Sequence, residues 1–237
     1  MKKVLIIMVV LFLSVWAAAG TFSEYYSKFI AANSMQDAQA MKEVIALLQE
    51  DTSNASLTAL YINAVTEYAN WAVKDEKERE KFYQQAVEYG KKIIKENKDN
   101  WYLYYTLGAA YGRLAQFKGI VSSLFMLGDF DANIKKSIEL NPSNYLGYVA
   151  LGMRYRDVPW PMNDMKKSEE NFKKAIEKEP LYVNAYLELG MLYLKINKKE
   201  LAREMFNKVI SMQPHPEWRK QGEEAKKTAE DELKKIK

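Results

Sequence analysis

The chain has 237 residues, with 35 Lys and Arg against 31 Asp and Glu, a single His and no Cys. Without cysteine no disulfide can staple the fold, and one histidine cannot build the common zinc sites, so packing alone must hold the chain together. Its net charge of +4 is spread over interleaved acids and bases, with no one-sided basic stripe, so nucleic acid is not expected as a partner.

The first residues stand apart. Lys2 and Lys3 precede an apolar run over 4–15, broken only by Ser14, and Ala17-Ala18-Ala19 then gives a small-residue site before Gly20. That is the layout of a cleavable secretory signal over 1–19. An uncleaved anchor would want about 20 apolar residues, and this run is shorter. A lipid-anchored lipoprotein would carry cysteine where Gly20 stands. The mature chain is therefore expected outside the cytoplasm, periplasmic or secreted. Its remaining length of about 218 residues is enough for one continuous solenoid.

Residues 20–100 read as degenerate helical repeats. Segments 23–30 and 35–49 form one predicted pair, and 58–73 and 80–96 form another. Asp75-Glu76-Lys77-Glu78 reads as a polar connection between the second two.

From residue 101 a period emerges, in three repeats at 101–142, 145–180 and 183–214. The last carries Tyr186, Leu189, Gly190 and Tyr193, then Ala202, Phe206, Val209 and Pro214. Pro180 precedes Pro214 by 34 residues. The spacings of three and four place the apolar side chains on one helical face. The middle repeat has Tyr148, Leu151, Gly152 and Tyr155, followed by Phe172, Ala175 and Pro180, with four residues inserted around Asp157-Val158-Pro159-Trp160-Pro161. Two prolines there exclude helix interior. The first repeat has Tyr104, Leu107, Gly108 and Tyr111 and ends in Leu140-Asn141-Pro142, with ten extra residues. The added stretch, 117–130, contains Ile120, Val121, Leu124, Phe125, Met126 and Leu127, which predicts a lengthened second helix. Residues 215–237 read as a charged capping helix. No segment has strand periodicity.

These positions make the chain resemble the tetratricopeptide-repeat superfamily over 101–214. The resemblance implies an all-α, helix-turn-helix solenoid wound as a right-handed superhelix. Such proteins are binding scaffolds whose first helices line a concave groove. A narrower likeness concerns the order of features: a long-insert repeat, a proline turn, and Pro216-Glu217-Trp218-Arg219 before the last helix. That order is similar to the periplasmic T component of TRAP-type transporters, whose members stack as oligomers and dock a substrate-binding protein. They are often lipoproteins, and the missing cysteine departs from that pattern.

In the superfamily's geometry the groove positions are Tyr102, Tyr105, Ala109 and Gly112, then Leu146, Val149, Met153 and Arg156, then Asn184, Leu187, Met191 and Leu194. The candidate partner-binding residues are Tyr102, Tyr105, Val149, Met153, Arg156, Leu187 and Met191, with Trp160 as a lid. Most are apolar, and the Lys, Arg and Asn clusters that clamp a peptide carboxylate are nearly missing. Arg113, Arg154 and Arg156 near the same face would orient an acidic group. Two readings stay open. The chain's own terminal helices fill the groove and Trp160 plugs the core, or the groove receives a partner helix, a hydrophobic peptide or a greasy small molecule.

Catalytic chemistry is not expected. His215 lies between two prolines, and there is no phosphate-binding glycine loop, no nucleophile elbow and no calcium loop. Glu169-Glu170 and Glu223-Glu224 fall on solvated helix faces. Neither metal nor cofactor is implied. The expected function is an exported scaffold for protein–protein interaction in the cell envelope. The alternative is a transporter accessory component that binds a hydrophobic ligand or docks a substrate-binding protein. A homo-oligomeric structural role is a third class.

Overall fold

Short polar side chains start most of the helices, because they accept from backbone N–H groups that have no partner in the first turn. In the computed structural model, which describes residues 21–51 and 54–236, this recurs down the chain. The expected signal at 1–19 lies outside the described residues. Helix α1 (Phe22–Met35) opens with a capping box in which Glu24 N donates to Thr21 Oγ1 and Thr21 N to Glu24 Oε2. Asp37, Asn54, Asp75 and Asn100 cap α2 (Ala38–Glu50), α3 (Ala55–Trp71), α4 (Glu76–Ile93) and α5 (Trp101–Ala115). Asn144 and Asp164 do the same for α7 (Tyr145–Asp157) and α8 (Met165–Lys178). Helices α6 (Ile120–Leu140), α9 (Val183–Lys195) and α10 (Lys199–Ser211) lack such a side-chain cap. A 3-10 turn, Pro216–Trp218, leads into α11 (Arg219–Lys235).

Consecutive helices pack as antiparallel pairs, α1 with α2 through α9 with α10; among the first helices α3 packs on α5 and α7 on α9, while α6 packs on α7 to join the two halves. This is an all-α tetratricopeptide-type helix-turn-helix solenoid, with no strand among the described residues. The ten added residues near 117–130 extend helix α6 to 21 residues, and the Pro-Trp-Pro segment is non-helical. No described helix is long and apolar enough to cross a membrane.

Three element boundaries differ from the sequence reading. Helix α1 continues to Met35 and stops where Gln36 adopts a left-handed conformation, φ 53°. The 75–78 stretch is a helix start, since Asp75 Oδ1 accepts from Glu78 N at 2.8 Å. The terminal helix is broken, with His215 Nδ1 accepting from Glu217 N ahead of the 3-10 turn.

Repeat closure rests on close approach. A Cβ added to Gly190 would stand 2.6 Å from Phe206, one at Gly152 would stand 2.6 Å from Phe172, and one at Gly108 would stand 2.7 Å from Ile134. The same two repeat positions meet in all three pairs, although the first repeat's added residues lengthen α6 and the second repeat's form the non-helical Pro-Trp-Pro turn.

Candidate functional site

Three of the first helices, α5, α7 and α9, begin with or directly follow aromatic side chains. Trp101 and Tyr102 open α5, Tyr145 opens α7, and Tyr182 precedes α9. At this end of the stack the first and last described helices meet. Helix α1 packs on α3, on the 3-10 turn and on α11. Tyr26 Oη donates to Glu217 Oε2 at 3.4 Å, across 191 residues of sequence. Trp218 Nε1 donates to Tyr145 Oη at 2.9 Å, and Tyr182 Oη to Gln221 Oε1 at 3.0 Å. Part of the expected groove is thus roofed by the chain's own first and last described helices.

Rings continue under this roof. Tyr102 stacks on Tyr105 with centroids 6.5 Å apart, and Phe22 meets Tyr102 edge-on at 6.2 Å. Asn63 Nδ2 donates to Tyr102 Oη at 2.8 Å. A cavity of about 130 Å³ remains between the rings. Burial pushes the Tyr102 and Tyr105 hydroxyls well above their ordinary value, and the Glu67 charge acts in the same direction. Burial, and then the Glu217 carboxylate, push Tyr26 up to about 12. Burial also raises the Glu67 carboxyl, and Arg113 opposes that shift.

The sequence-predicted site residues do not form one surface. Tyr102 and Tyr105 are half-buried beside the cavity. Val149 and Leu187 are buried in the C-terminal core, so they hold repeats together and present little area to a partner. Met153 and Met191 are half-buried against that same core. Arg156 is also buried and already engaged. Its guanidinium donates to both carboxylate oxygens of Asp157 at 2.7 and 2.9 Å and to Glu188 Oε2 at 2.6 Å, and it lies over the Phe172 ring. Burial works against the Arg156 charge, but the bonds and charges of Asp157 and Glu188 more than offset it and hold the group protonated. Arg154 is committed to Asp131 at 2.9 Å and to the Met162 carbonyl at 2.8 Å. Neither arginine is left to orient an acidic ligand.

Trp160 does not plug a core, because it stands 84% exposed. Phe125, on the inserted part of α6, stands 76% exposed, with Leu124 and Met162 also exposed. Leu124 lies two turns before Asp131 on one stripe of α6. Through Arg154, which donates to Asp131 and to the Met162 carbonyl, the Asp131 end of that stripe is tied to the segment that follows the Pro-Trp-Pro turn. Sequence reasoning missed Tyr26, Tyr145 and Trp218. The aromatics at the starts of α5 and α9 were the signal that could have found Tyr145 at the start of α7. Among the described residues no group of three or more His, Asp or Glu side chains is placed to hold a metal ion.

Comparisons with known proteins agree with this architecture. Over 81% of this chain and 91% of the other, the structure is similar to TTC0263, a thermophilic tetratricopeptide protein of Thermus thermophilus, with a TM-score of 0.64 and 15% identity. It is also similar to MamA, at a TM-score of 0.47 and 20% identity over 79% and 88% of the two chains. MamA from Desulfovibrio magneticus RS-1 gives 0.49 and 17% over 81% and 94%. At these identities the first likeness shows the fold alone, and the MamA likenesses add no argument. No curated protein sequence matches the chain. Residues 183–216 match the tetratricopeptide-repeat model, in the segment where the period is clearest. None of these likenesses carries the narrower resemblance to a TRAP-type T component. A second family model matches residues 24–158, more than half of the chain, and by that match the chain belongs to the family described as regulator of microtubule dynamics protein 1-3.

Proposed function

We propose that this chain is an exported scaffold that holds a protein partner of the cell envelope against an apolar surface patch. The observation that carries the reading is the exposure of Phe125 and Trp160 on neighbouring elements. Exposed apolar side chains that cluster into a patch mark interaction sites, and aromatic anchors in such a patch supply much of an interface's binding energy. Tetratricopeptide solenoids supply the rigid frame for this. Export is supported by the basic start, the apolar run and the A-x-A site over 1–19.

Two narrower readings use the same surface. As a transporter accessory component, the chain would dock a substrate-binding protein there or take a hydrophobic ligand. As a homo-oligomer, it would pair the patch with a second copy. The family description points instead to a microtubule partner, which export would put out of reach.

The test uses the full-length chain as bait in extract of its own cells, beside a Phe125→Ser/Trp160→Ser variant. The proposal expects an envelope protein that the wild type enriches and the variant loses. Enrichment of a cytoskeletal protein, or an identical profile for both baits, would contradict it. Sedimentation at rising concentration separates self-association from capture of another protein.

A further inference from the structure

The cavity where the first and last described helices meet has a composition at odds with the rest of the molecule. Seven of its thirteen lining residues are aromatic, among them Tyr26, Trp101, Tyr102, Tyr105, Tyr145 and Trp218, and three more are asparagines. The chain carries 35 Lys and Arg, yet no basic side chain lines this space, and the one charged lining residue is Glu217. A second carboxylate, Glu67, is one helical turn from the lining Asn63, and its charge reaches Tyr102, Tyr105 and Tyr182. Aromatic faces carry negative potential, and enclosure by rings strengthens their attraction for a cation. The rings are also fixed in place. Tyr102 Oη accepts from Asn63, Tyr145 Oη accepts from Trp218, and Tyr26 Oη donates to Glu217. Glu217 keeps acceptor capacity beyond that single bond.

We propose that this cavity binds an organic cation, the ammonium or guanidinium head of a small molecule or of a basic peptide side chain. Size agrees with this class. A volume of about 130 Å³ equals roughly four waters of liquid, which suits a trimethylammonium or guanidinium group. An anionic head would meet Glu217 with no lining cation to receive it, and a long acyl chain would not fit. The site is separate from the Phe125–Trp160 patch, so it does not rest on the scaffold reading.

Calorimetric titration of the full-length chain at constant ionic strength tests it, with choline, its neutral isostere dimethylbutanol, and the tripeptide Gly-Arg-Gly as probes. Saturable binding is expected for at least one cation, with the isostere weaker by about tenfold or more. Choline alone identifies a free ammonium ligand, and the tripeptide alone identifies a partner's basic side chain. Glu217→Gln should weaken the cation by about tenfold while circular dichroism stays unchanged. The proposal is overturned if neither cation saturates, if the isostere binds as tightly, or if a folded Glu217→Gln chain binds as wild type does. The charged and neutral pair decides the matter on the wild-type chain alone should the variant fail to fold.

Discussion

Gly190 lies so close beneath the Phe206 ring that an added Cβ would stand 2.6 Å from Phe206 Cε1. Two opposing effects meet there. Alanine is favoured over glycine in a helix by about 1 kcal/mol, while overpacking a buried contact costs about 1–3 kcal/mol. With the ring buried on all sides, the clash wins, and Gly190→Ala should lose about 1 kcal/mol or more. Gly128, exposed on α6, has nothing within 4 Å of its added Cβ. Gly128→Ala should therefore gain about 0.5–1 kcal/mol. Urea unfolding of the two variants should give shifts of opposite sign.

Arg156 joins α7 to α9 through Glu188. Arg156→Met would leave Glu188 half-buried without its guanidinium, at a cost of about 2–3 kcal/mol. Arg156→Lys should recover part of this, because a lysine cannot bond Asp157 through two nitrogens and reach Glu188 as well. Thermal melts of the three chains should rank wild type, then Lys, then Met.

Glu67 makes the chain's stability depend on pH. Burial raises its carboxyl above the ordinary 4.5, so the folded chain holds that proton more tightly than the unfolded one. The associated stability is complete below 4.5 and is lost as pH rises through the raised value. Glu67→Gln should thus be more stable than wild type at pH 7, with the difference shrinking toward zero below the ordinary value. Denaturation midpoints measured from pH 3 to 8 check this, and a gap that does not change with pH would contradict it.

The meeting of the first and last described helices predicts a coupling that sequence proximity cannot supply. Trp218→Ala removes the ring packed beside Tyr182 and the donor to Tyr145. Hydrogen exchange in α1, particularly near Phe29 and Ala32, should accelerate about tenfold as that helix loses its seat. Unchanged exchange in α1 would show that the two helices are held independently.

What was legible in the sequence follows from range. The repeats from 101 onward were legible because the same short spacings recur. Gly190 and Phe206 are 16 residues apart, and the pattern survives even where Gly108 meets Ile134 across the insertion. The lengthened α6 followed from an apolar run that contains no proline. Boundaries before residue 100 were misplaced because Asp75 and Asp37 act as caps, while charge-rich segments such as 75–78 look like connections by composition alone. The aromatic cavity was not legible. Tyr26 and Glu217 share no period, and only the closed course of the solenoid brings them together. The apolar groove positions were legible as apolar, but whether Val149 and Leu187 face a partner or a neighbouring helix depends on how far successive pairs rotate, which no local pattern records.

The surface carrying Phe125 and Trp160 is proposed to meet another protein. Photocrosslinking in living cells tests it most directly, with a benzophenone amino acid placed at Phe125 and, as control, at the exposed Lys208 of α10. Position 125 should give one discrete heavier adduct, containing an envelope protein, and position 208 none. No adduct at 125, or the same pattern from both positions, would contradict it.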